Sequence, residues 1–70
     1  MIAIKERIRV MLAQNAGNTE IIATIVNRPT HVELAELKTA TVSVSPNARA
    51  RAMVSIVDGA IAEVRNEDST

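Results

Sequence analysis

Serine, histidine and aspartate are all present in this chain, and together these residue types can form a hydrolytic triad. Ser43 or Ser45 could serve as the nucleophile, His31 as the base and Asp58 as the group that orients the base. Neither serine lies in a glycine-flanked turn of the kind that exposes a nucleophile. Because other convergent polar groups are also lacking, we predict no catalytic residues and no enzymatic activity.

Metal and cofactor chemistry has equally little support. His31 is the single histidine, cysteine is absent, and Glu33 supplies only one further ligand, whereas zinc sites take three or four protein ligands. Glu33 and Glu36 are explained more simply as charges that keep a surface solvated. Gly17 and Gly59 stand alone, without the spacing of a phosphate-binding loop. The sequence therefore predicts no metal and no cofactor.

An anion could bind at residues 45–51. Ser45 is a suitable N-cap, and Pro46 suits the first helical position because its missing amide hydrogen costs nothing there. Free amides and the helix dipole favour negative charge at such a start. The contact residues of this hypothesis are Ser45, Asn47, Arg49 and Arg51. The simpler interpretation is that both arginines are ordinary surface residues.

Composition limits the chain to one small domain, residues 1–70. Such a short chain buries little surface, and it has neither cysteine for disulfides nor aromatic residues to enlarge its core. Hydrophobic residues still make up 47% of it, which favours self-association as the stabilising device. Eight basic and eight acidic residues cancel, so there is no general attraction to nucleic acid or anionic lipid.

No targeting or membrane segment is evident in the sequence. The apolar run at residues 21–26 is far too short to span a bilayer. Lys5, Glu6, Arg7 and Arg9 occupy the place where a signal peptide has its apolar region. We therefore expect a cytoplasmic location.

Hydrophobic periodicity predicts helices at both ends of the chain. Apolar residues recur every three or four positions in residues 2–16, and Gly17 ends that pattern. A second helix is expected from Pro46 to about residue 66, followed by an acidic tail that frays.

The middle of the chain favours strands. Residues 20–27 are dense in β-branched side chains, residues 28–30 form a turn around Pro29, and residues 39–45 alternate with a period of two. Residues 31–37 fit either a strand or a short helix opened by a capping box at Thr30 and Glu33. The predicted fold is α+β, a helix, a two- or three-stranded antiparallel sheet and a helix (αββα or αβββα), with a small all-α bundle as the alternative.

A helix-turn-helix is a further alternative, with residues 19–26 and 30–38 as its two helices. Its second helix would then present His31, Glu33, Glu36 and Lys38. Because such an acidic face is unsuited to approaching DNA, we rank this alternative below the strands.

The apolar content exceeds what one sheet face and two helices can hide, so we predict an interface. Its residues are Ile21, Ile22, Ile25, Val26, Met53, Val57, Ile61 and Val64. The leading functional hypothesis is a small regulatory protein that forms a homodimer and binds a partner protein. One alternative is a nucleic-acid-binding transcriptional regulator that uses the Arg49 and Arg51 helix start, and another is a structural subunit of a larger assembly.

Overall fold

Residues 1–68, which the computed structural model describes, form a bundle of four α-helices. The helices are α1 (Ile2–Ala13), α2 (Asn18–Asn27), α3 (His31–Ala40) and α4 (Arg49–Asp68), and a 3-10 turn (Pro46–Ala48) leads into α4. Within residues 1–68 there is no strand. The predicted α+β fold with an antiparallel sheet is therefore wrong, and the all-α bundle named as its alternative describes the chain.

Helix α2 replaces the strand predicted for residues 20–27. Ile21 and Ile25 are one helical turn apart, and both are completely buried. The preference of isolated β-branched residues for strands amounts to no more than about 1 kcal/mol and depends on context. Burial of two isoleucine side chains, at about 1.5–3 kcal/mol each, outweighs that preference.

Helix α3 begins at the capping box and resolves the ambiguity of residues 31–37. The Glu33 amide donates a 3.2 Å hydrogen bond to Thr30 Oγ1, and the Thr30 amide donates one of 3.1 Å to Glu33 Oε1. The period-two segment at residues 39–45 is the end of this helix and the turn that follows it. Buried Thr41 closes the helix by donating its hydroxyl to the Leu37 carbonyl, whereas Val42 is 81% exposed. The alternation of apolar and hydroxyl residues at 39–45 therefore belongs to a helix end and a turn, and not to a strand.

Helix α1 ends at Ala13, and the left-handed residue that stops it is Asn15 and not the predicted Gly17. Asn15 has a φ of 65°, in the left-handed region that asparagine tolerates better than most residues. The Ala16 amide donates to the Met11 carbonyl, and the Asn15 amide donates to the Leu12 carbonyl, both at 3.0 Å. This pair of bonds is the Schellman motif, which satisfies carbonyls at a helix end. Gly17 instead precedes α2 as its N-cap in an extended conformation.

The predicted helix start at Ser45 and Pro46 is confirmed, because Pro46 opens the 3-10 turn that continues into α4. Helix α4 continues through residues 66–68, where fraying was expected. The remainder of the predicted frayed tail, Ser69 and Thr70, lies outside the described residues.

One hydrophobic core joins all four helices. Helices α1 and α2 pack mainly against α4, and α3 packs mainly against α1. The buried apolar side chains are Ile4, Ile8, Ile21, Ile25, Leu37, Val57, Ala60, Ile61 and Val64. The single chain thus has a core of its own, made without any aromatic residue.

Candidate functional site

The side chains considered for a hydrolytic triad are not brought together. Ser43 and Ser45 are exposed around the turn before α4, His31 is exposed at the start of α3, and Asp58 is exposed in α4. None of the hydrogen bonds described within residues 1–68 joins any two of them, and the same residues contain no cluster of three or more metal-ligating side chains.

Glu33 is a buried structural residue and not a surface charge. Its carboxylate is only 3% exposed and lies 2.7 Å from the Arg7 guanidinium of α1. Arg7 also donates to the Arg28 carbonyl at 3.3 Å, just before α3. The Thr30 amide is a further donor to the Glu33 carboxylate. This ion pair therefore fastens the start of α3 to α1.

Glu36 serves α1 as a cap supplied from another helix. The N-cap residue of α1, Met1, has no polar side chain and makes no side-chain capping bond. The Glu36 carboxylate accepts hydrogen bonds from the Ala3 amide at 2.9 Å and the Ile4 amide at 3.0 Å. A carboxylate at this position satisfies free amides and also matches the positive end of the helix dipole. Both carboxylates of α3 are thus directed at α1.

Surface ion pairs connect α1 to the last turns of α4. Lys5 Nζ lies 2.8 Å from Glu63 and 3.1 Å from Glu67, and Arg9 lies 2.7 Å from Glu67. Hydrogen bonds that Lys5 donates to Glu63 and Glu67 raise the pKa of Lys5. Hydrogen bonds from Lys5 and Arg9 lower the pKa of Glu67.

The structure divides the eight predicted interface residues into two groups. The first group is completely or almost completely buried in the chain's own core: Ile21, Ile25, Val57, Ile61 and Val64. In this fold these five side chains belong to the core of the single chain. The second group, Ile22, Val26 and Met53, is partly buried at the margin of the core.

Two of the partly buried residues line an open groove between α2 and α4. The groove has a volume of about 340 Å³ and is lined by Thr19, Ile22, Ala23, Val26, Asn27 and Val54. We call it the α2–α4 groove. None of its lining side chains carries a charge. Thr19, Ala23, Asn27 and Val54 were not among the predicted interface residues, although Thr19, Ala23 and Val26 continue the three- and four-residue spacing of a helix face.

The candidate anion site remains a prediction. Ser45, Asn47, Arg49 and Arg51 are all exposed. The Ser45 side chain makes no capping bond, while its carbonyl accepts from the Ala48 amide within the 3-10 turn. Neither arginine belongs to an ion pair among the described residues.

The charged side chains are not evenly distributed along the chain. Between residues 21 and 57 the exposed charged side chains are all basic, namely Arg28, Lys38, Arg49 and Arg51. We call these four the basic set. None of the ion pairs that the structure describes includes a member of it. The two acids of this segment bind groups of α1: Glu33 accepts from the Arg7 guanidinium, and Glu36 accepts from the Ala3 amide.

No protein-family model, curated protein or solved structure matches this chain. Across residues 1–68, no helix combines the length and apolarity needed to cross a bilayer.

Proposed function

We propose that this chain is a small non-enzymatic interaction protein that acts as a homodimer, with the α2–α4 groove as its self-association surface. One observation carries the proposal: helix α2 has a second apolar stripe, beside the one that the core already covers. Regulation of a partner protein and a cytoplasmic location are parts of the same proposal, which rest on the sequence.

The second stripe makes α2 apolar around most of its circumference. Ile21 and Ile25 face the core, while Ile22, Ala23 and Val26 lie along the groove. A helix that is apolar on most sides is ordinarily covered on most sides. In the single chain, however, α2 is covered mainly by α4. An occupant of the groove would complete that cover.

A second copy of the chain suits the groove for electrostatic and steric reasons. Because no groove-lining side chain is charged, closing the groove leaves no charge buried without a partner. The formal net charge of the chain is zero, so two copies do not repel each other strongly. Ala23 is small and exposed, which allows another helix to approach closely. A two-fold arrangement would place identical stripes against each other.

The test measures molecular mass in solution for the natural chain and a charged groove variant. Val54 is 41% exposed, so Val54→Asp places a carboxylate in the groove without disturbing the core. Val42→Asp is the matched control, because it makes the same exchange at an exposed valine outside the groove. Sedimentation equilibrium at tens of micromolar should give dimers for the natural chain and for Val42→Asp, and monomers for Val54→Asp.

Two outcomes would contradict the proposal. A natural chain that stays monomeric throughout this concentration range has no self-association function. Assemblies larger than dimers would favour the alternative, a structural subunit of a larger assembly. Circular dichroism of each variant shows whether the helices persist, which separates loss of association from loss of folding.

A further inference from the structure

We infer that the chain has a second interaction surface, the outward face of α3 with Lys38 on it and Arg28 just before the helix, and that this surface binds duplex nucleic acid through its phosphates. This inference does not depend on the α2–α4 groove. It rests on the connection between α2 and α3, on the direction of the two α3 carboxylates and on the distribution of exposed charge.

Helices α2 and α3 are joined by residues 28–30, a three-residue turn. Helix, short turn and second helix is the connectivity of DNA-binding helix-turn-helix motifs, in which the second helix enters the major groove. The likeness lies in connectivity alone, because α2 packs mainly against α4 and α3 mainly against α1. Five of the six exposed residues of α3 recur at three- and four-residue spacing and so share one outward face; the sixth, Ala40, ends the helix. The five are His31, Val32, Ala35, Lys38 and Thr39.

The structure removes the main objection to such a surface, which was its acidity. Glu33 is buried against Arg7, and the Glu36 carboxylate binds the first amides of α1. Neither acid belongs to the outward face. The fully exposed charged side chain on that face is Lys38, whereas Glu33 is buried and Glu36 is half-buried, so α3 is less acidic at its surface than its sequence suggests.

The exposed charged side chains in the chain on either side of α3 are also basic. The four exposed cations of residues 21–57 have no exposed acid among them. The exposed acids of the described chain lie outside that segment, at Glu6, Glu20, Asp58, Glu63 and Glu67. A formal net charge of zero therefore conceals one segment of the chain, residues 21–57, in which the fully exposed charged side chains are all positive and the acids are buried or half-buried.

The dimensions of the surface fit a duplex. Ten residues of α3 extend about 15 Å, with Arg28 before the helix and Lys38 near its end. Duplex DNA carries one negative charge for about every 1.7 Å of its axis, and its major groove admits an α-helix. Ala35 and Thr39 are small enough for a close approach. An anionic membrane is a poorer fit, because surface-binding helices need a broad apolar face that this one lacks.

The decisive experiment adds one positive charge at either of two exposed alanines. Ala35→Lys adds it to the outward face of α3, and Ala62→Lys, the matched control, adds it to α4 near Asp58 and Glu63. Affinity for a fluorescein-labelled DNA duplex of mixed sequence is measured by anisotropy over a range of salt concentrations. Each phosphate contact contributes about 0.9 to the slope of log K against log salt. Ala35→Lys should steepen that slope by about this amount and tighten binding about five- to tenfold at 0.1 M salt. Ala62→Lys should change neither quantity.

Two variants that each remove one positive charge test the same surface. Lys38→Ala should weaken binding about five- to tenfold at 0.1 M salt and reduce the slope by about 0.9. Arg9→Ala removes an exposed cation of α1 and should have little effect. The inference is overturned if the natural chain does not bind the duplex, if Ala62→Lys strengthens binding as much as Ala35→Lys, or if phosphatidylglycerol vesicles bind and the duplex does not.

Discussion

Replacing Arg7 with methionine tests the link between α1 and α3 directly. The exchange keeps the unbranched apolar stem and removes the guanidinium. The Glu33 side chain, which is only 3% exposed, then has a buried negative charge without its cation. Removing one partner of a buried ion pair usually costs 3–5 kcal/mol. The Thr30 amide still donates to Glu33, and Arg7 itself is 29% exposed. We therefore expect a loss of about 2–4 kcal/mol, and at least about 8 °C in Tm for a domain of this size.

The Arg7–Glu33 pair also predicts that replacing Arg7 costs more stability than replacing Glu33, which a simple loss of packing would not predict. Glu33→Gln keeps an acceptor for the capping box, and a lone Arg7 can reach water, so this variant should lose only about 1–2 kcal/mol. The double variant Arg7→Met with Glu33→Gln should be more stable than Arg7→Met alone, because it contains no uncompensated buried charge. Urea unfolding followed by circular dichroism gives all three free energies. An Arg7→Met variant no less stable than Arg9→Met, which breaks an exposed pair, would refute the reasoning.

Three further predictions concern stability. Gly59→Ala should stabilise the chain by about 1 kcal/mol, because α4 gains a better helix former and an added methyl group meets no atom within 4 Å; an unchanged or lower Tm would contradict this. Gly17→Ser should add about 0.2–0.5 kcal/mol by completing a capping box with Glu20, measured by urea unfolding, and Gly17→Ala should not reproduce the gain. Because the pKa of Glu67 is lowered in the folded chain, its ion pairs with Lys5 and Arg9 stabilise the fold fully above pH 4.5, and this stabilisation is lost as the pH falls through the lowered pKa. Because the pKa of Lys5 is raised in the folded chain, its ion pairs with Glu63 and Glu67 stabilise the fold fully below pH 10.5, and this stabilisation is lost as the pH rises through the raised pKa. The Tm difference between the natural chain and Glu67→Gln should therefore shrink in acid, and a difference independent of pH would contradict the assignment.

Local chemistry predicted the ends of the helices better than it predicted the middle of the chain. Ser45 and Pro46, and the capping box at Thr30, act through neighbours within one helical turn, so the sequence shows them directly. The helical state of α2 depends instead on which partner covers Ile21 and Ile25. That partner is α4, about 30 residues further along the chain, and its position cannot be deduced from the local pattern.

The candidate surfaces were only partly predictable for the same reason. Ile22 and Val26 are recognisable as apolar residues, but sequence alone cannot separate them from Ile21 and Ile25, which are core. Glu36 looks like a solvated charge until α1 is placed beside it. Long-range placement therefore decides both which apolar residues stay accessible and which charges reach solvent.

Self-association through the α2–α4 groove is tested most directly by isotope-filtered NMR on a mixture of ¹³C-labelled and unlabelled chain. Such spectra report contacts between the methyl groups of different copies only. We predict intermolecular contacts that involve Ile22, Ala23, Val26 and Val54, and none that involve Val42. Intermolecular contacts confined to other methyl groups, or none at concentrations of several hundred micromolar, would contradict the proposed homodimer.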